Sequence, residues 1–308
     1  MSFFTLLIAL MLEQARAVQS GHPVHGWLLS WVEWVRRHFD AGQKHHAQWA
    51  WALAVLLPAL ASALVFWALS WVAGVLAWAW VVAVLYLTMG FRQFSHHFTE
   101  IRDALAQGDE DAARTELARW LSIETHRLTR HQLMALTMQN GVIAAHRHVL
   151  GVIVCFVLFA ALGLGPAGAV LYRLAQLVGQ RWVLPTPDGL VSERVASLAE
   201  RAWSTIDWLP VRMSALCFAV VGHFEEALSR WRAPLDPALP GNDAVLLAAA
   251  GGALAVEWRE QGRVAGVDGE WLSPTELKVA HLGSTVALLW RSVVLWLLLL
   301  ALLTAAAW

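Results

Sequence analysis

The segment Leu164-Gly165-Pro166-Ala167-Gly168-Ala169-Val170-Leu171-Tyr172-Arg173 sits at the centre of a longer stretch, His126 to Arg181, around which the chain is organised. From Thr125 to Pro187 there is no acidic residue, while nine basic or imidazole side chains lie within the same window. Between them runs a long apolar segment, Val149 to Val178, flanked by Arg147 and Arg181 and carrying Arg173 inside it. A run of this length exceeds what a soluble core helix needs and is more than the roughly 20 apolar residues of a membrane crossing. The stretch therefore predicts membrane insertion and leaves a cationic segment with no acid of its own.

Composition agrees. Of 308 residues, 58% are hydrophobic and 15% charged, against about 45–50% and about 25% in soluble domains. Mean hydropathy is +0.53. Nineteen tryptophans against two tyrosines suit a protein with many interfacial positions. A net charge of −1 gives no footprint for nucleic acid, so none is expected as a partner. Cys155 and Cys217 lie in apolar segments and read as small buried hydrophobes.

Outward from the centre, the fold class is all-α: a polytopic membrane helix bundle of about five crossings, with amphipathic cytoplasmic helices and a broken or kinked central helix. The apolar N-terminus, Met1 to Leu12, lacks a basic n-region and cleavage site and reads as a retained, partly inserted helix. Gly21 to Gly26 reads as a turn. Trp27, Leu28, Trp31, Trp34 and Val35 then form an amphipathic stripe ending in Arg36, Arg37 and His38. Trp49 to Met89 is long enough for two crossings with a break at Ser70 to Gly74, and Pro58 kinks the first. Phe91 to Gln139 carries most of the charge and reads as two amphipathic helices joined near Gly108, with Asp109 as a cap.

Val149 to Val178 overfills one span and cannot supply two, so a tilted helix interrupted at Gly163 to Gly168 is expected. Such a break is either a binding-site feature or a kink with small residues for close packing. Thr186 to Gly189 reads as a loop, Val191 to Trp203 as an amphipathic helix and Met213 to Gly222 as a further span. Arg232 to Asn242 reads as a proline-rich loop, Ala244 to Val256 as a short helix, and Ser273-Pro274-Thr275-Glu276 as a helix start. Ser284 to Trp308 is the final span. The domain reading is one membrane domain, residues 1–308, with 91–148 inserted as a cytoplasmic helical hairpin.

Orientation follows from Lys and Arg. Segments 13–48 and 91–148 hold 4 and 7 of them, and the turn between the intervening spans holds none. The positive-inside rule makes that side cytoplasmic, with the N-terminus.

No P-loop, HExxH, CxxC or Rossmann fingerprint occurs. The histidine groups His22/His25, His45/His46, His96/His97 and His146/His148 lack the i,i+4 spacing of a zinc helix, so no metal is expected. The cationic group Arg127, Arg130, His131, His146, Arg147 and His148, with Arg173 and Arg181, can bind a phosphate or carboxylate or form a collar for anionic headgroups.

Gly21-His-Pro-Val, Gly165-Pro-Ala-Gly-Ala-Val-Leu-Tyr-Arg, Asp207-Trp-Leu-Pro-Val-Arg, Ala249-Ala-Gly-Gly-Ala-Leu-Ala-Val and Leu272-Ser-Pro-Thr-Glu-Leu, in this order, resemble the CobD/CbiB family. The resemblance implies a bacterial inner-membrane protein of cobalamin biosynthesis. Its members act as ATP-dependent amide synthases, joining an aminopropanol-type amine to adenosylcobyric acid, so ATP and Mg²⁺ are implied if that activity is retained. It also implies a corrinoid or other anionic ligand held by Arg173 and Tyr172, Asp207, Arg212, His22 and Arg147. The bilayer is the other partner, and a homo-oligomer is compatible with the sequence.

The synthases carry an acidic Glu-Asn-x-x-Asp-Gly block ahead of the central run. Here that region reads Ala144-Ala-His-Arg-His-Val-Leu-Gly151, and no acidic role is carried over to any residue. Phe4-Thr-Leu-Leu, and Asp207-Trp-Leu-Pro-Val-Arg leading to Val221-Gly-His, Glu225 and Ala227-Leu, resemble AmpE. That likeness implies the alternative of a non-catalytic membrane sensor linked to cell wall and β-lactamase induction.

Overall fold

The computed structural model describes residues 2–15, 23–39, 44–184, 192–233, 241–258, 264–265, 271–272 and 277–306. Nearly all of them are helical. A two-residue antiparallel ladder, β1 (Val264–Ala265) with β2 (Trp271–Leu272), is the exception. Among the described residues, four helical runs are long and apolar enough to cross a membrane: His46–Val72, Arg130–Ala161, Glu193–Val221 and Val279–Ala306. Phe3–Ala15 and Gly74–Thr88 are shorter apolar helices. The chain is a multi-pass helical membrane bundle. It divides into two compact units.

The first unit comprises residues 1–92, 147–210 and 299–308. It holds α1 (Ser2–Ala15), α2 (Pro23–Phe39), α3 (Lys44–Trp51), α4 (Leu57–Val72) and α5 (Gly74–Thr88). Also in it are α9 (Gly151–Ala161), α10 (Ala167–Arg181), the first part of α11 (Glu193–Val221) and the end of α14 (Val279–Ala306). Of the expected turn at Gly21 to Gly26, Gly21 and His22 lie outside the described residues and the rest is helical, because α2 already begins at Pro23, a favoured first-turn residue whose missing N–H costs nothing there.

Pro58 does mark a distortion. A π-turn, Ala52–Leu56, precedes it, and Pro58 falls in the first turn of α4. Proline cannot donate the i→i−4 bond, and the widened turn absorbs the loss. The break between α4 and α5 falls at Ala73, which is extended at φ −161°. It lies inside the expected window.

The central run departs from the single tilted helix. Residues 130–161 form one helical run through α8 (Arg130–Ala145), a π-turn (His146–Leu150) and α9. After Leu162 to Pro166 the chain reverses, and α10 packs back along α9. The length problem of Val149 to Val178 is solved by recruiting upstream residues into the first arm. Two glycines make the reversal possible. A Cβ at Gly168 would strike the carbonyl of Cys155, and one at Gly151 would strike the phenol oxygen of Tyr172. These contacts run in antiparallel order along the two helices. Small residues are what allow helix backbones to approach this closely in a bilayer.

The core of this unit joins Val32 and Val35 of α2, Ala54 and Val55, and Leu174, Ala175, Val178 and Trp182. Helix α10 packs on α2, α4, α5 and α9 and is the hub.

The second unit, residues 93–146 and 211–298, contains α6 (Phe91–Ala106), α7 (Glu110–Leu121), α8, α12 (Phe224–Arg232) and α13 (Gly241–Leu254). Gly108 takes φ +79°, and Asp109 caps α7 by accepting from the amide of Ala112 at 2.9 Å, as expected. The start of α8 was not expected. Thr129 and Gln132 form a reciprocal capping box there.

Helix α11 runs unbroken through Pro210, where two separate segments were expected. Glu225 and Glu226 lie in the first turn of α12, where the helix dipole favours them. His22, Thr186 to Gly189 and Ser273 to Glu276 lie outside the described residues.

Candidate functional site

Helix α10 begins at a built turn. Gly163 and Gly165 adopt φ +76° and +57°, which side-chain-bearing residues rarely do. Gly165 also presses on the ring of Phe66, and the indole of Trp67 donates to the carbonyl of Gly163 at 2.7 Å. The turn is thus clamped to α4, and the following helix is aimed by that clamp.

One turn into α10, the hydroxyl of Tyr172 donates to Oδ1 of Asp207 at 2.8 Å. Both residues are 0% exposed. Trp203 packs on the Tyr172 ring, centroid to centroid 5.2 Å. Burying a carboxylate demands hydrogen bonds, and the phenol supplies one. The pair locks α10 to α11.

Arg173 is half-buried. Its Nη1 donates to Oε1 of Gln176 at 2.6 Å and to Nδ1 of His148 at 3.0 Å. Arginine has no acceptor, so His148 accepts at Nδ1. Neither partner is an acid. Arg173 also reaches a cavity of about 430 Å³ between α2, α4, α5 and α10, lined among others by Trp31, Pro58, Ser62, Trp80 and Val170.

Of the six residues assigned to ligand binding, the structure joins Tyr172 and Asp207 in the first unit, while Arg173, next to Tyr172 in sequence, bonds His148 and Gln176. Arg147 lies half-buried in the π-turn of that unit. Arg212 belongs to the second unit. His22 is outside the described residues. Gln176 and Ser62 were missed by sequence reasoning, since a lone polar residue in an apolar helix carries no pattern.

Other members of the cationic group have partners elsewhere. Arg130 pairs with Glu110 at 3.3 Å, and the buried His146 bonds Ser214 through Nδ1 at 2.9 Å.

Across the α6–α7 hairpin, Nδ1 of His97 meets Oε1 of Glu116 at 2.5 Å, and Arg119 holds Oε2. His96 meets Glu100 at 3.2 Å. The donor atoms of His97, Glu100 and Glu116 lie within 4.8 Å of one another, which a metal ion could use by donor type. Both oxygens of Glu116 are already engaged, one by the His97 ring and one by the Arg119 guanidinium, so the cluster is satisfied from within. Burial raises the Glu116 carboxyl, but the bonds from His97 and Glu100 and the charge of Arg119 outweigh it, and the net shift is downward.

A multi-pass helical membrane protein with a buried, acid-free cationic helix at its hub is the class these features define. The chain matches the CobD/Cbib protein family over residues 3–289, and it belongs to that family. It is 28% identical over 307 residues to the cobalamin biosynthesis protein CobD of Stutzerimonas stutzeri (strain A1501), covering 96% of this chain and 94% of that one. It is 31% identical over 193 residues to the cobalamin biosynthesis protein CobD of Chromobacterium violaceum, covering 62% of this chain and 57% of that one. No solved structure matches. The AmpE-like alternative finds no support in these comparisons.

Proposed function

We propose that this chain serves cobalamin biosynthesis at the bacterial inner membrane by binding an anionic corrinoid through the α9–α10 region, without ATP-dependent amide synthesis there. The observation that carries the family role is the near full-length likeness to a relative named for cobalamin biosynthesis. Arg173 is the anion contact, supported by Arg147. Tyr172 and Asp207 position α10 rather than touch the ligand, because both are enclosed. Arg212 lies in the second unit and His22 outside the described residues, and neither is given a contact in this proposal.

The α9–α10 region does not fit Mg²⁺–ATP. Holding Mg²⁺ on phosphates takes carboxylates. None occurs between Glu124 and Asp188, and Asp207, the acid that α11 brings to α10, is sealed and occupied by Tyr172. No step is therefore routed through a nucleotide at this site.

The chain is one membrane domain in this proposal, with its N-terminus and the 91–148 hairpin in the cytoplasm, and reporter fusions at Gly108 and Ala73 would test that orientation. The functional test is titration of the detergent-purified protein with adenosylcobyric acid, with and without ATP, Mg²⁺ and an aminopropanol donor. Binding without product is expected. Product formation would overturn the non-ligating reading, and absence of binding would overturn the corrinoid reading.

A further inference from the structure

The cavity beside Arg173 is larger than the salt-free arginine alone explains. At about 430 Å³ it falls within the roughly 300–1,000 Å³ of small-molecule sites. Its walls are apolar and aromatic, yet residues with polar groups are among them: Arg173, Ser62 and Trp31, besides Trp27, Trp80 and Thr88.

The hydroxyl of Ser62 and the indole N–H of Trp31 have no hydrogen-bond partner among the described residues although both atoms are buried, and Ser62 is only 6% exposed. A buried donor left unmet costs about 1–3 kcal/mol, so each such group asks for an explanation. Neighbouring polar groups on the same walls are satisfied. Thr88 bonds the carbonyl of Val84 at 2.8 Å, and Trp80 donates to the carbonyl of Ser62 at 3.2 Å. Other buried polar atoms also lack a partner among the described residues, including the indole N–H groups of Trp51 and Trp182, but of these Trp31 and Ser62 alone belong to residues that line the cavity. Arg173 engages Nη1 only, with neutral partners, which leaves the rest of its donor fork without a bond among the described residues.

The mouth of the cavity shows where a ligand would come from. Trp27, Leu57 and Val65 line it and are also exposed, at 61%, 48% and 39%. Leu57 and Val65 lie on a candidate membrane span, so the opening is flanked by residues that face lipid.

We propose that this cavity binds a single-chain anionic amphiphile drawn from the bilayer. Its chain lies against the tryptophan and aliphatic walls, and its head takes hydrogen bonds from Arg173, Ser62 and Trp31. One chain suits the volume, and an anionic head suits a guanidinium that no carboxylate neutralises. The inference rests on the reading of Arg173 as an anion contact and gives that guanidinium a second ligand, distinct from the corrinoid.

The test uses the full chain in detergent, with binding of oleoyl lysophosphatidic acid measured against oleoyl lysophosphatidylcholine and inorganic phosphate, and adenosylcobyric acid titrated in parallel. The lysophosphatidic acid should bind one per chain and at least tenfold tighter than the choline lipid, and phosphate alone should bind far more weakly. Arg173→Gln should erase the preference between the two lipids. Ala61→Trp fills the cavity from an exposed wall position and should abolish lipid binding while the helical circular dichroism stays unchanged.

Equal binding of the two lipids, or phosphate binding as tight as the lipid, would overturn the proposal. So would unchanged lipid binding in Ala61→Trp. Corrinoid binding without lipid binding would sink this inference and leave the proposed function standing. Lipid binding without corrinoid binding would do the reverse.

Discussion

Two helical hairpins of this chain handle charge in opposite ways. In α6–α7 each buried or half-buried carboxylate meets a cation close by: Glu116 meets His97 and Arg119, and Arg114 meets Glu110 and Asp111. In α9–α10 the cations have no carboxylate in sequence, and the acid that reaches α10 from α11 is bonded by a phenol. The first arrangement is complete as it stands. The second is complete only in its packing, since Arg173 is given neutral partners and a cavity. A hairpin whose charges are balanced internally is built for stability. In the function proposed above, the second leaves its central cation for a ligand.

The contrast can be tested first through packing, which is where the largest effect is expected. Gly168→Ala forces a methyl group into the Cys155 carbonyl and should cost the upper part of the about 1–3 kcal/mol typical of overpacking, or more. Thermal unfolding in detergent would show it. Gly74→Ala is the control, because a Cβ there meets nothing within 4 Å. If both variants unfold alike, the close approach of α9 and α10 is wrong.

Asp207→Ala comes next. It leaves the enclosed Tyr172 hydroxyl without its acceptor and should destabilise the first unit by about 1–3 kcal/mol. Adding Tyr172→Phe should recover part of that loss, so the double variant is less damaged than the sum of the singles. Strict additivity would deny the pair.

A smaller, pH-dependent effect belongs to the compensated hairpin. The Glu116 carboxyl sits below its ordinary value of 4.5 in the folded chain. A carboxyl lowered on folding adds stability that is present above its unfolded value and lost as pH falls through its folded value. Glu116→Gln should therefore be less stable than wild type at pH 7, by about 1 kcal/mol, and the gap should close below pH ~4. A gap that persists at low pH would assign the loss to packing.

How much of this was legible in sequence follows the same division. The α6–α7 hairpin could be read because Gly108 and Asp109 punctuate it and its apolar stripe has helical spacing. The break at Ala73 could be bracketed because no charge interrupts its flanks and Gly74 follows. The reversal at Gly163 to Pro166 looked like a kink, because glycine and proline mark both. What separates them is the fit of Gly151 under Tyr172 and of Gly168 on Cys155, a tertiary match between positions with no local periodicity. The beginning of α8 was signalled by Thr129 and Gln132, but the charged context of Arg130 and His131 masked it. The joining of α11 through Pro210 was not legible, since a proline usually ends a helix. The family resemblance was readable across most of the chain, whereas Ser62 and Trp31 resemble ordinary core positions until the cavity is seen.

The central claim is that Arg173 is held for an anion while Arg181, exposed at the end of the same helix, belongs to the headgroup collar. Isothermal titration of adenosylcobyric acid into wild-type, Arg173→Ala and Arg181→Ala protein tests it most directly. The account predicts at least a tenfold loss of affinity for Arg173→Ala and little change for Arg181→Ala, and equal losses in the two variants would contradict it.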